Sequence, residues 1–213
     1  ALPMSVSHRT YRREPSFTVA IARDPAFNFM YEANIRYLHH LGEVTYFSPL
    51  ADTSLPDAGF VYLPGGYPEL YLAALSANRP MLQSIRRYVE NGGKLLAECG
   101  GMMYLCDEIR DKNGDVYPMA GVLHQSATME NMKLRLGYRT LLYNDARLKG
   151  HEFHYSRLVE QQDPLPSCAV AYTAKGVETD TPLYHYKNVW AGYTHLYWAD
   201  PAGNDWFTKF IIK

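Results

Sequence analysis

The segment Lys94-Leu95-Leu96-Ala97-Glu98-Cys99-Gly100-Gly101 carries an apolar run into one cysteine and then turns on two glycines. A strand, a tight elbow and a helix fit this pattern, with small residues on both flanks as an elbow requires. A cysteine at the tip is a candidate nucleophile, because backbone N–H groups and the positive end of the following helix favour the thiolate, which is the attacking species. The competing reading is a buried cysteine acting as a small hydrophobe.

A nucleophilic thiol needs a base for its proton and donors for the oxyanion that forms on attack. Of the eight histidines, His8 lies in an irregular start, His39 and His40 near the end of a helical pattern, His124 in a loop, and His185 between two tyrosines without special context. His151, His154 and His195 stand in the most constrained settings. His195 is favoured, because it follows a glycine-containing strand near the chain end, where a late strand of an α/β sheet delivers a base beside Cys99. For the oxyanion, Pro64-Gly65-Gly66 follows a strand and allows close backbone approach. The N–H groups of Gly65, Gly66 and Gly100 are the candidates, against the alternative of an ordinary glycine-rich turn.

The elements that must position these groups are legible from periodicity. Phe17 to Ala22 reads as a first strand, followed by the loop Arg23-Asp24-Pro25-Ala26-Phe27-Asn28 and an apolar helical stripe from Met30 to Leu41 that stops at Gly42. Val44-Thr45-Tyr46-Phe47 and Phe60-Val61-Tyr62-Leu63 read as strands, Glu69 to Ala77 and Pro80 to Glu90 as helices, and Asn91-Gly92-Gly93 as a stop before the elbow strand. Alternating strands and helices imply a largely parallel central sheet flanked by helices, with ligands at the carboxyl ends of its strands. Past the turn at Asp111 to Asp115 the pattern becomes β-rich. Strands are expected around Leu134 and Leu136, over Gly150 to Arg157 and over Val189 to Tyr197, before a closing helix with Trp206, Phe207, Phe210 and Ile211. The fold class is α/β. Residues 1–15 read as a linker or cut edge and 16–213 as one domain.

The 213 residues carry a formal net charge of −1 and no long run of one sign, which argues against a nucleic-acid groove or a polybasic membrane patch. Three cysteines (Cys99, Cys106, Cys168) lack metal-ligand spacing and form no disulfide framework, and no long apolar stretch occurs, so a cytoplasmic protein without a metal site is expected. Eighteen tyrosines fit strand packing or a partner interface, and a homodimer is compatible with them.

Three segments together, Leu63-Pro64-Gly65-Gly66-Tyr67-Pro68-Glu69, Ala97 to Leu105, and Gly150-His151-Glu152-Phe153-His154-Tyr155-Ser156, resemble the C-terminal glutaminase domain of cobyrinic acid a,c-diamide synthases. Ile21 to Phe29 is similar as well, and the resemblance runs in order from about Phe17 to His195. It implies a class I-like glutamine amidotransferase, part of a carbon–nitrogen ligase. Cys99 would attack the side-chain amide of glutamine, release ammonia and leave a glutamyl thioester for water to hydrolyse. The ammonia would serve ATP-dependent amidation of the a and c carboxylates of a corrinoid in cobalamin biosynthesis. His195, within Gly192-Tyr193-Thr194-His195, matches the family's catalytic histidine. Sirohydrochlorin diamide synthases share these motifs.

Two departures stand out. Class I enzymes commonly place a glutamate two residues after the histidine, where this chain has Tyr197. The resemblance therefore implies a Cys-His dyad, oriented by a backbone carbonyl or by a carboxylate from elsewhere such as Glu152. No G-x-x-x-x-G-K-[ST] phosphate loop occurs. The synthetase half is expected as a separate N-terminal domain or subunit, and it alone would use ATP and Mg2+. By analogy with related amidotransferases, Arg157 is the candidate for the glutamine carboxylate. Tyr67 and Glu69 are candidates for the pocket wall, Glu69 alternatively for a helix cap. Two other functions fit the residues: a catalytically quiet partner-binding module, and a cysteine hydrolase acting on peptides or γ-glutamyl compounds.

Overall fold

The computed structural model describes residues 17–212; the expected linker at 1–15 lies outside them. Strands β1 (Thr18–Ala22), β2 (Glu43–Phe47), β3 (Phe60–Leu63) and β4 (Lys94–Glu98) are separated by α1 (Glu32–Leu41), α2 (Leu72–Ala77) and α3 (Arg79–Glu90), and α4 (Gly100–Leu105) follows the elbow. Short strands β5 (Glu108–Arg110), β6 (Val116–Pro118) and β7 (Ser126–Thr128) come next. The long hairpin β8 (Arg135–Tyr143) and β9 (Ala146–His154) follows, then β10 (Arg157–Leu158), β11 (Val170–Thr173), β12 (Glu178–Thr179), β13 (Leu183–Tyr186), β14 (Val189–Gly192), β15 (His195–Tyr197) and the closing helix α5 (Pro201–Ile212).

The central sheet runs β13-β14-β4-β3-β1-β2, parallel throughout except for β13. Its inner strands β1, β3, β4 and β14 are apolar and buried on both faces, as a covered parallel sheet demands, while the edge strands β2 and β13 carry exposed polar residues. Ala20, Val61, Leu63, Leu95 and Ala97 pack toward α2, α3 and α4. Val19, Ile21, Phe60 and Leu96 pack toward α1, α5 and the five-stranded sheet β12-β11-β8-β9-β15. A third sheet, β10-β7-β5-β6, extends the first layer.

Local chemistry explains the boundaries. Asn78 caps α3 by accepting from the Met81 N–H, and Pro80 in the first turn loses no helical hydrogen bond. The segment expected as one helix from Glu69 opens instead as a 3₁₀ turn (Pro68–Leu70) before α2. The expected strand from Val189 to Tyr197 is two strands in two sheets. β14 runs beside β4 as far as Gly192, the chain turns at Tyr193-Thr194, and His195 then pairs with His151 of β9. Gly150 to Arg157 likewise breaks at Tyr155-Ser156 into β9 and β10.

Candidate active site

Cys99 sits at the carboxyl end of β4 with φ 48° and ψ −107°, a strained conformation for a residue with a side chain. Its N–H donates to Gly192 O (2.8 Å) and its carbonyl accepts from Met103 N–H (3.0 Å), so β14 on one side and α4 on the other hold the elbow. Gly101 is required by space: a Cβ there would stand 2.2 Å from Leu63 O. The Sγ faces Phe153 O at 4.0 Å.

The thiol is buried, and burial, aided by the charge of Glu69, pushes its pKa up to about 12; the Gly100 N–H acts in the opposite direction. The elbow thus holds a neutral thiol, contrary to the thiolate expected from the helix end. Desolvation of a side chain only 4% exposed outweighs the N–H groups of a single short helix.

His195 lines the same cavity, of 280 Å³, together with Phe29, Gly66, Tyr67, Cys99, His151 and Phe153. Its imidazole is edge-on to Phe29 (centroids 4.5 Å) and stacked near His151 (5.1 Å, 28°). Gly65 lies against the ring, and a Cβ there would meet Cε1 at 2.1 Å. Burial, with the neighbouring His151 and His154, lowers the His195 pKa to about 3. Thiol and imidazole are therefore both neutral near pH 7.

The glycine loop is shaped from the far end of β1. Asp24 accepts from the N–H groups of Ala26 (2.8 Å) and Phe27 (3.1 Å), folding the chain so that Phe29 forms a two-way backbone bridge with Gly65. The Gly65 N–H donates to Phe29 O at 3.1 Å, which corrects its assignment to the oxyanion hole. Gly66 and Gly100 remain as the candidate donors beside Cys99.

Tyr67 and Glu69 both line a smaller cleft continuous with Cys99, along with Met103, His154, Tyr155 and Ser156. Burial raises the Glu69 pKa. Two other assignments are corrected. Arg157, exposed on β10, lines a 310 Å³ cavity that shares His154 and Ser156 with the cleft at Cys99, and it is not among the residues lining the cavity of Cys99 and His195. Glu152 points to the opposite face of β9 from His151 and is ion-paired with Arg139 at 2.6 Å.

The carboxylate beside His195 is instead that of Glu98, with Oε2 4.0 Å from Nδ1. Glu98 accepts from Tyr62 Oη (2.7 Å) and from the Leu196 N–H (3.1 Å) and is only 2% exposed. Sequence reasoning passed over Glu98 and Tyr62, although an acid closing an otherwise apolar central strand was the signal. Phe29 was also missed as a wall residue; His151, one of the three candidates for the base, lines the cavity with its Nδ1 hydrogen-bonded to Tyr31 Oη at 2.5 Å.

A cysteine elbow on a parallel sheet, with a late-strand histidine beside it, defines the class I glutamine amidotransferase fold. A solved glutamine amidotransferase from Thermotoga maritima shares this fold with a TM-score of 0.56, at 13% identity over 92% of this chain and 82% of that one. A family model for the CobB/CobQ-like glutamine amidotransferase domain matches residues 18–203, and the chain belongs to that family. It is 39% identical to a hydrogenobyrinate a,c-diamide synthase from Pseudomonas aeruginosa, over 84% of this chain. It is 41% identical to a cobyrinate a,c-diamide synthase from Fusobacterium nucleatum, again over 84%. In both comparisons the match spans 41% of the relative's length. Among the described residues no helix is long and apolar enough to cross a membrane.

Proposed function

We propose that this chain hydrolyses the side-chain amide of glutamine and supplies the ammonia to an ATP-dependent synthetase that amidates the a and c carboxylates of a corrinoid. The observation that carries the hydrolytic reading is the single cavity shared by Cys99, His195 and the Gly66 loop. As glutamine binds, the Sγ proton passes to His195 while sulfur attacks the amide carbon. The oxyanion is met by the N–H groups of Gly66 and Gly100. His195 returns the proton to the departing nitrogen, ammonia leaves, and a glutamyl thioester remains. Water, deprotonated by His195, then releases glutamate and restores the thiol.

The half-buried carboxylate of Glu69 in the Cys99 cleft is suited to the α-ammonium group of glutamine. The corrinoid acceptor is supported by the relatives named a,c-diamide synthases. ATP and Mg2+ belong, in this reading, to the remaining length of those relatives. Beside the cavity mouth, Leu136 and Tyr138 stay exposed on β8, paired in register with Phe153 and His151 of β9. Such an apolar strip suits a synthetase surface that would close the cavity over the ammonia. A test fuses the chain to the synthetase region of a longer relative and supplies ATP, Mg2+, cobyrinate and glutamine with heavy nitrogen in its amide. Heavy nitrogen is expected in the a and c carboxamides; incorporation only with sirohydrochlorin would reassign the acceptor, and glutamate release without transfer to either would remove the synthetase reading.

A further inference from the structure

We infer that Glu98 positions His195, serving in this chain as the orienting acid whose usual place, two residues after the histidine, is held by Tyr197. The inference rests on the glutaminase reading above and names a component of the same site. Four observations carry it. Glu98 Oε2 stands 4.0 Å from His195 Nδ1. That Nδ1 is buried and without a hydrogen-bond partner among the described residues, so the carboxylate is the acceptor within reach once a proton resides there. The carboxylate is itself held by Tyr62 Oη and by the N–H of Leu196, the residue next to the histidine. Finally, Glu98 and Cys99 are adjacent in sequence, and Gly192 pairs with Glu98 while its carbonyl accepts from Cys99 N–H. Acid and nucleophile thus move with one strand end.

The geometry has a chemical consequence. In its ionised form, which burial confines to pH values above about 8, Glu98 facing Nδ1 holds the proton on that nitrogen and leaves Nε2 free to take the thiol proton. Burial pushes Glu98 up to about 8 and His195 down to about 3, which penalises either charge alone. When His195 takes the thiol proton, the imidazolium and the carboxylate compensate each other. The groups facing the pair are Tyr62 from β3, Tyr31 ahead of α1, His151 and His154 from β9, and Cys99 at the elbow. Tyr197 cannot substitute: its ring packs edge-on against Tyr31 at 5.5 Å.

Glu98→Gln is isosteric: its one amide oxygen can still accept from the Leu196 N–H, while its NH2 takes the place of the oxygen beside Tyr62 and can donate to Tyr62 Oη, so the packing is kept and the acid is lost. The rate of Cys99 alkylation by a diazoketone analogue of glutamine is measured from pH 5 to 10, with kcat and KM for glutamine alongside. We expect the alkylation rate and kcat to fall about a hundredfold or more, KM to change less than about threefold, and the pH profile to change shape. Tyr62→Phe, which removes one support and leaves the acid, is expected to lower the rate about threefold to tenfold and serves if Glu98→Gln fails to fold. Wild-type rates and an unchanged profile in Glu98→Gln, or in Tyr62→Phe where only that variant folds, would overturn the assignment. If the wild-type protein leaves Cys99 unlabelled both alone and fused to a synthetase region, the glutaminase reading fails instead, so the two failures are distinguishable.

Discussion

Replacing Gly65 with alanine is a sharp test of how His195 is seated. The added Cβ would lie 2.1 Å from Cε1, 2.9 Å from Nδ1 and 3.2 Å from Nε2. Ordinary van der Waals contact begins near 3.4 Å, so the ring must withdraw by about 1.3 Å, or the loop must retreat by the same amount. Neither movement is free. The ring is confined by Phe29 and His151, and the loop is tied through both backbone bonds between Gly65 and Phe29. A misplacement of about 1 Å in a reacting group costs on the order of a hundredfold in rate, or about 3 kcal/mol of barrier. The assay is the rate of Cys99 alkylation by the diazoketone glutamine analogue, followed by mass spectrometry, with thermal unfolding as the control for global damage. Gly59→Ala is the companion variant, because its Cβ would meet only ordinary contacts at 3.6 Å. We expect a fall of about a hundredfold for Gly65→Ala and an unchanged rate for Gly59→Ala. A Gly65→Ala protein that alkylates at the wild-type rate would refute the seating of His195 against this glycine.

Arg139→Met should destabilise the protein by about 3–5 kcal/mol in denaturant unfolding, because it strands the buried Glu152 charge, and adding Glu152→Gln should recover much of the loss. Glu98 is expected to shape stability against pH. With its folded pKa near 8 and an unfolded value near 4.5, the unfolded chain gives up this proton first, so the Glu98 contribution to stability declines as pH rises from about 4.5 to 8. Thermal melts of Glu98→Gln should lose that component. His195 works in the opposite sense at lower pH: its folded pKa near 3 means the unfolded state alone is protonated below about 6.5, so its contribution is lost as pH falls from 6.5 to 3. Arg157→Ala should leave KM for glutamine within about twofold, since Arg157 does not line the Cys99 cavity, whereas Glu69→Gln should raise it about tenfold or more with a smaller effect on kcat.

The central sheet was legible because its signals are local: Phe60 to Leu63 and Lys94 to Glu98 are short apolar runs with glycine or proline at their ends. The elbow was legible for the same reason, with Cys99 flanked by residues that leave it room. What escaped was whatever depends on two distant segments meeting. The chain break at Tyr193-Thr194 follows from β14 joining β4 while His195 joins β9, a choice made by tertiary pairing rather than by strand propensity. Gly65 resembled an oxyanion donor until Phe29 claimed its N–H. Glu152 and Glu98 differed little on paper, both being acids beside a motif residue. Which one reaches His195 was decided by strand alternation on β9, which sends Glu152 to Arg139, and by the position of β4 under β15.

The most direct measurement is peptide mapping after incubation with the diazoketone glutamine analogue, with Cys99→Ser as control and Cys106 and Cys168 as internal comparisons. A glutamine-binding nucleophile at the elbow predicts one adduct, on Cys99, that excess glutamine suppresses and the Cys99→Ser protein lacks. Absence of that adduct both in the chain alone and in its fusion to a synthetase region, or labelling of Cys106 or Cys168 in its place, would contradict it.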